Sequence, residues 1–241
     1  FIATLFLLGI GAIASITHLG QPLRMFNVLM GIEHASPLTL EIIALSLFGG
    51  TAALFTALRL FGIQQGLQRM LLIVGMLLGV VFVFAIANVY TLNTVVSWNS
   101  AWTPFQFFMT VALVGPLGAA TLLRLLKALE SNEQLQADQM LSVISGVGLI
   151  AAVMGYAGYL VWLGQLDVSV NPFEVAVYAF NLPVARVCLL LAGILSWLVF
   201  SRRSAGSSYR LPAICLVMVL TSELMGRAFF YDVYISAGAG M

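Results

Sequence analysis

Charge is what this chain has least of. Asp, Glu, Lys and Arg make up 8% of its residues, about a third of the share in a soluble domain. Ten basic and nine acidic residues leave a net charge of +1. No basic surface is available for nucleic acid, and no polar stretch is long enough to form a soluble domain. Histidine is equally scarce. His18 and His34 are the only two, and both lie in one polar segment. A b-type haem held by two axial ligands usually draws its histidines from facing helices, so no haem is expected. Cys188 and Cys215 each sit alone in an apolar run and form no metal or redox motif. Walker loop, zinc motif and nucleophile elbow are all missing.

What is present is apolar: 61% of the residues are hydrophobic, in runs of roughly 20. That length crosses a bilayer as a helix, and the runs do not alternate as barrel strands do. The expected fold is all-α, a polytopic transmembrane helix bundle forming a single integral membrane domain over 1–241. Seven spans are predicted, at 1–18, 39–60, 70–92, 104–126, 140–163, 183–200 and 211–235. The chain begins at Phe1 inside an apolar run. Sequence ahead of it is therefore expected to be missing, and no signal peptide is seen.

Loop charge gives an orientation. The connections after spans two, four and six carry Arg59, Arg69, Arg124, Lys127, Arg202, Arg203 and Arg210, whereas the others carry Arg24. By the positive-inside rule the basic loops face the cytoplasm, and the 18–37 loop and the C-terminus face outward. The outward loops are rich in aromatics, including Trp98 and Trp102. These read as an interface girdle or as the walls of a quinone or lipid slot. The 129–139 stretch reads as a solvated connection. Gly75/Gly79, Gly115/Ala119 and Gly148/Ala152 have helix-packing spacing, and Pro116 is placed to kink its span.

Ionisable groups inside a span need a partner or a role. The candidates are Glu41, Arg186, Glu223 and Arg227. Glu223 and Arg227, four apart, are placed to neutralise each other, and Arg186 could snorkel to the surface. With the predicted orientation, Glu41, Asn88, Arg186, Arg227, Tyr231 and Asp232 all fall in the outer half of the membrane. Such one-sidedness suggests a site open to that leaflet. The polar segment from His18 to Arg24 enters from the same side. Ser36-Pro37 resembles a helix start, where an acid suits the helix dipole. Glu41 therefore reads either as a helix-start acid or as a proton-transfer group, and His18 as an anchor or as its partner.

Taken in order, several stretches resemble one family. They are His18-Leu19-Gly20-Gln21-Pro22-Leu23-Arg24 with the preceding Ile13-Ala14-Ser15-Ile16-Thr17, and Glu41-Ile42 with Ala44. Val89-Tyr90 leads to Trp102-Thr103-Pro104, followed by Gly115-Pro116-Leu117, Glu223-Leu224-Met225-Gly226-Arg227 and Phe230-Tyr231. Nearly end to end, the sequence resembles the membrane anchor subunit of dimethyl sulfoxide reductase, a respiratory molybdenum/iron–sulfur enzyme.

The resemblance implies eight helices in the bacterial cytoplasmic membrane, with both termini outward, so that an eighth span is expected ahead of the seven predicted here. It implies an anchor for an iron–sulfur electron-transfer subunit and a molybdenum catalytic subunit. It also implies menaquinol as substrate, with no haem or metal of the chain's own. The family's quinol-linked histidine and glutamate fall on His18 and Glu41. Arg24, Asn88, Trp102, Arg186, Arg227 and Tyr231 are further candidate quinol contacts. Rival expectations are a small-molecule transporter and a structural anchor without a quinol site.

Overall fold

In a computed structural model, residues 2–17, 36–166, 181–203 and 208–234 are described. They form α1 (Ile2–Thr17), α2 (Pro37–Leu60), α3 (Gln65–Tyr90), α4 (Trp102–Leu125), α5 (Ser131–Gly164), α6 (Asn181–Arg203) and α7 (Arg210–Asp232). Six of these are long and apolar enough to cross a membrane, and α1, at 16 residues, is shorter. Large apolar side chains on the helices point away from the protein, among them Leu77, Phe84, Ile150, Met154 and Leu224. Outward-facing hydrocarbon of this extent suits a lipid solvent. The chain is a multi-pass membrane protein.

The helices fall into two compact units, Phe1–Tyr90 and Thr91–Met241. In the first, α2 packs against both α1 and α3. Ser36 caps α2, its hydroxyl accepting from the Thr39 amide at 3.2 Å, and Pro37 takes the first helical position. Pro37 has no N–H to satisfy, so cap and proline suit the helix start. A short turn joins α2 to α3, with Gly62 at φ 68° in the left-handed region glycine favours. Gln68 fastens this turn, its amide donating to Ile63 O at 2.9 Å and Leu58 O at 3.3 Å.

In the second unit α4 packs against α5 and α7, and α6 against α5 and α7. Leu113, Leu117, Leu149, Ile194, Trp197 and Val219 lie at the core. Pro116 does not break α4, which runs unbroken from Trp102 to Leu125. Having no N–H, Pro116 leaves the Ala112 carbonyl without its helical donor. Ser145 of α5 supplies a substitute, its hydroxyl reaching Ala112 O at 3.3 Å and Leu113 O at 3.2 Å. Gly148 permits this approach, since a Cβ there would lie 3.2 Å from the Ala112 Cβ. The Gly148/Ala152 pair thus packs helices as its spacing suggests. Gly115 and Ala119 do not; both are exposed, and a Cβ at Gly115 would meet nothing.

The 129–139 stretch departs from expectation. From Ser131 onward it belongs to α5, a helix of 34 residues. Asp138, fully buried, bridges Arg124 of α4 at 2.5 Å and accepts from the Gln134 amide at 2.9 Å. Arg124 also lies over the Phe200 ring and donates to Ser208 O at 3.4 Å. One buried guanidinium thereby ties the end of α4 to the starts of α5 and α7 and the end of α6. Composition marked this segment as polar, but a buried ion pair across two helices has no local sequence signature.

Removing one partner strands the other's charge in an apolar site, which costs about 3–5 kcal/mol. Arg124→Ala should lower detergent-solubilised stability by that amount, read from thermal unfolding of the purified complex. Ser145→Ala should cost only about 0.6–2 kcal/mol, the range for interhelical hydrogen bonds in membranes. Equal losses in the two variants would contradict this ranking.

Candidate functional site

Glu41 sits one residue beyond the first turn of α2, half-buried, in a stretch that is apolar apart from Thr39. Two amides at this helix start are already served: Thr39 N by the Ser36 hydroxyl and Leu40 N by Ser36 O at 3.0 Å. The carboxylate is therefore not needed as a cap. Among the described residues it has no hydrogen-bond or ion-pair partner. Asn88 lies near the last turn of α3, also half-buried, with its own polar contact. Because α2 and α3 form an antiparallel hairpin, Glu41 and Asn88 lie at the same end of the first unit. His18 and Arg24 lie outside the described residues.

In the second unit, residues that the sequence spread over four helices converge. The starts of α4 and α6 and the ends of α5 and α7 share one end. Arg186 of α6 donates to Glu223 of α7 at 3.3 Å, with both side chains buried. Two expectations are corrected here. Arg186 turns inward rather than snorkelling, because Glu223 offers it a charge and the Tyr156 ring a face, 4.4 Å from its guanidinium carbon. Glu223 meets Arg186 across the helix interface, while Arg227 lies over the ring of Phe107 at 3.6 Å. Spacing along one helix could not reveal the interhelical partner.

Around this pair the fold supplies polar groups that sequence reading missed. The Thr110 hydroxyl meets the second Glu223 oxygen, and the Ser222 hydroxyl donates to Arg186 O at 2.9 Å. Gly226 leaves room for the guanidinium: a Cβ there would overlap Arg186. Gln106, Tyr156 and Tyr159 are buried beside the pair. The signal available in sequence was weak, a set of polar residues in four different spans.

The aromatics at this end pack inward. Trp102 lies edge-on to Phe105, and the two rings occupy the space left by Gly158 and Gly155. Trp98 stacks on Phe230 at 4.9 Å and donates its indole N–H to Phe230 O at 2.8 Å. Tyr231, itself exposed, meets the Trp98 ring edge-on at 5.7 Å. Trp98 and Trp102 therefore hold the connection before α4 onto the unit. Trp102, Arg186, Arg227 and Tyr231 lie at one end of this unit, and Glu41 and Asn88 at one end of the other.

The family model described as DMSO reductase anchor subunit (DmsC) matches residues 1–233. The YnfH subunit of an anaerobic dimethyl sulfoxide reductase of Escherichia coli K12 is 35% identical over 235 residues, covering 96% of this protein and 80% of the relative. The C subunit of anaerobic dimethyl sulfoxide reductase from the same strain is 32% identical over 237 residues, with the same coverage. Its namesake in Haemophilus influenzae is 32% identical over 234 residues, again at 96% and 80%. No solved structure matches. An anchor subunit implies association with catalytic and electron-transfer subunits, and this multi-pass protein belongs to the DMSO reductase anchor subunit family.

Proposed function

We propose that this anchor binds and oxidises menaquinol at the Glu41 end of the first unit and passes the electrons to an iron–sulfur partner subunit. The observation that carries this reading is Glu41 itself. It is a carboxyl group inside an apolar span, at a helix start already capped by Ser36, with no partner among the described residues. An ionisable group in a span is costly, so one without a structural task points to function. Family membership supplies the redox context.

Quinol oxidation releases two protons and two electrons. In this reading His18 accepts one hydroxyl proton through a neutral imidazole nitrogen, and Glu41 accepts the other. Arg24 steadies the anion formed between the two proton losses, and Asn88 offers a hydrogen bond to the head group. Both electrons leave to the iron–sulfur subunit, which in turn serves a molybdenum catalytic subunit. The anchor's task is to position the quinol and take its protons. Trp102, Arg186, Arg227 and Tyr231 lie together at one end of the second unit and stay in this reading as candidate quinol contacts; Arg186 keeps one buried nitrogen, Nη1, without a hydrogen-bond partner.

The basic residues Arg59, Arg69, Lys127, Arg202 and Arg210 favour a cytoplasmic face at the opposite ends of the helices. Arg124 no longer counts toward that rule, being buried with Asp138. Glu41, the quinol site and the C-terminus then face the periplasm of a bacterial inner membrane.

General acid–base groups contribute roughly a hundred-fold or more to rate. His18→Ala and Glu41→Gln should each lower quinol-driven turnover of the assembled complex by about that factor. Reduced viologen dye, which feeds electrons to the partner subunits directly, should still drive both variants. Unchanged quinol turnover would make the protein a structural anchor only. With proton release and substrate reduction both on the outer side, reconstituted vesicles should develop no membrane potential during turnover. A potential would contradict that placement.

A further inference from the structure

At the turn end of the α2–α3 hairpin lies a cavity of about 310 Å³, lined by Phe55, Arg59, Gln65, Gln68, Arg69 and Leu72. An apolar groove of about 190 Å³ runs on from it between the same two helices and also touches Thr4 of α1. The two share Phe55 and Leu72, so one continues into the other. Gly75 and Gly79 line the groove, and their lack of a side chain lets Thr51 and Phe48 of α2 come close there. The combined recess is basic at the end of the span and hydrocarbon-lined alongside it.

Among the described residues, no carboxylate pairs with the charge at its basic end. No Asp or Glu occurs between Glu41 and Glu130. Among the described residues, Arg59 reaches Gln68 Oε1 at 3.5 Å, and neither Arg59 nor Arg69 has an ion pair. Gln68 is itself held by Ile63 and Leu58, so it forms a fixed wall. Two guanidinium groups near a span's end select a phosphate.

We propose that this recess holds an anionic phospholipid, its headgroup phosphate between Arg59 and Arg69 and an acyl chain along the Gly75–Gly79 face of the groove. Free phosphate would satisfy the arginines but leave the groove to bulk lipid. An isoprenoid tail would fill the groove but leave the arginines unmatched. A phospholipid with net negative charge meets both demands. The site is independent of the quinol reading, since Arg59 and Arg69 lie at the far end of the hairpin from Glu41.

The test is native mass spectrometry of the purified complex in detergent, titrated with phosphatidylglycerol, phosphatidylcholine or inorganic phosphate. The wild type should bind phosphatidylglycerol in preference to phosphatidylcholine. Arg59→Gln with Arg69→Gln should weaken that binding about thirty-fold, two basic contacts' worth at a membrane surface, whereas the double lysine variant should retain most of it. Gly75→Leu should weaken it by filling the groove without touching the charge. Viologen-driven turnover confirms that each variant is assembled. Equal binding of phosphatidylcholine, displacement by inorganic phosphate, a quinone recovered from the groove, or unchanged binding in the double glutamine variant would each overturn the proposal.

Discussion

A polar group inside a membrane protein must find its partner within the protein, because the surrounding hydrocarbon offers none. The second unit is organised by this constraint. Its two ends are each tied by a buried ion pair, Arg124–Asp138 at one and Arg186–Glu223 at the other. Between them, Ser145 answers the carbonyl that Pro116 leaves open. Core packing by Leu, Ile and Trp gives close contact, but an apolar helix gains little from hiding such residues from equally apolar lipid. Polar matches fix which helix faces which, and glycines set how closely they approach. Gly148, Gly193 and Gly226 each stand where a side chain would meet a neighbouring helix.

The same constraint singles out Glu41. In a protein that provides partners for Arg124, Asp138, Arg186 and Glu223, a half-buried carboxyl with none among the described residues calls for another explanation. Helix capping does not provide it, since Ser36 and Pro37 already complete the start of α2. The proposed exchange of a proton with a membrane-soluble donor would. This ties a local feature of one helix to the redox role of the anchor family. It also separates two kinds of intramembrane charge, those paired in packing and one without a partner among the described residues.

Much of the fold could be read from the sequence because span length and hydropathy are strong, local signals. The predicted spans overlap every helix found, and the Ser36-Pro37 start was plain from residue type alone. Pairings across helices were not legible. Glu223 has a tempting i+4 arginine in its own helix, yet its carboxylate meets Arg186 of α6. Asp138 looked solvated in a polar stretch, although α5 extends through it and buries it. Gly115/Ala119 has the same spacing as Gly148/Ala152 but faces outward, since spacing defines a stripe without saying which neighbour it meets. At the candidate site, Glu41 was visible from depth and charge, whereas the question of a partner needed the cap geometry. His18 and Arg24 lie outside the described residues and rest on sequence.

The central claim is that Glu41 and His18 form part of a quinol-binding site, and equilibrium binding tests it most directly. A fluorescent quinol analogue should be quenched on binding to the wild-type complex. Glu41→Gln and His18→Ala should abolish or strongly weaken that quenching in complexes whose partner subunits remain bound. Quenching with wild-type affinity in both variants would contradict the account.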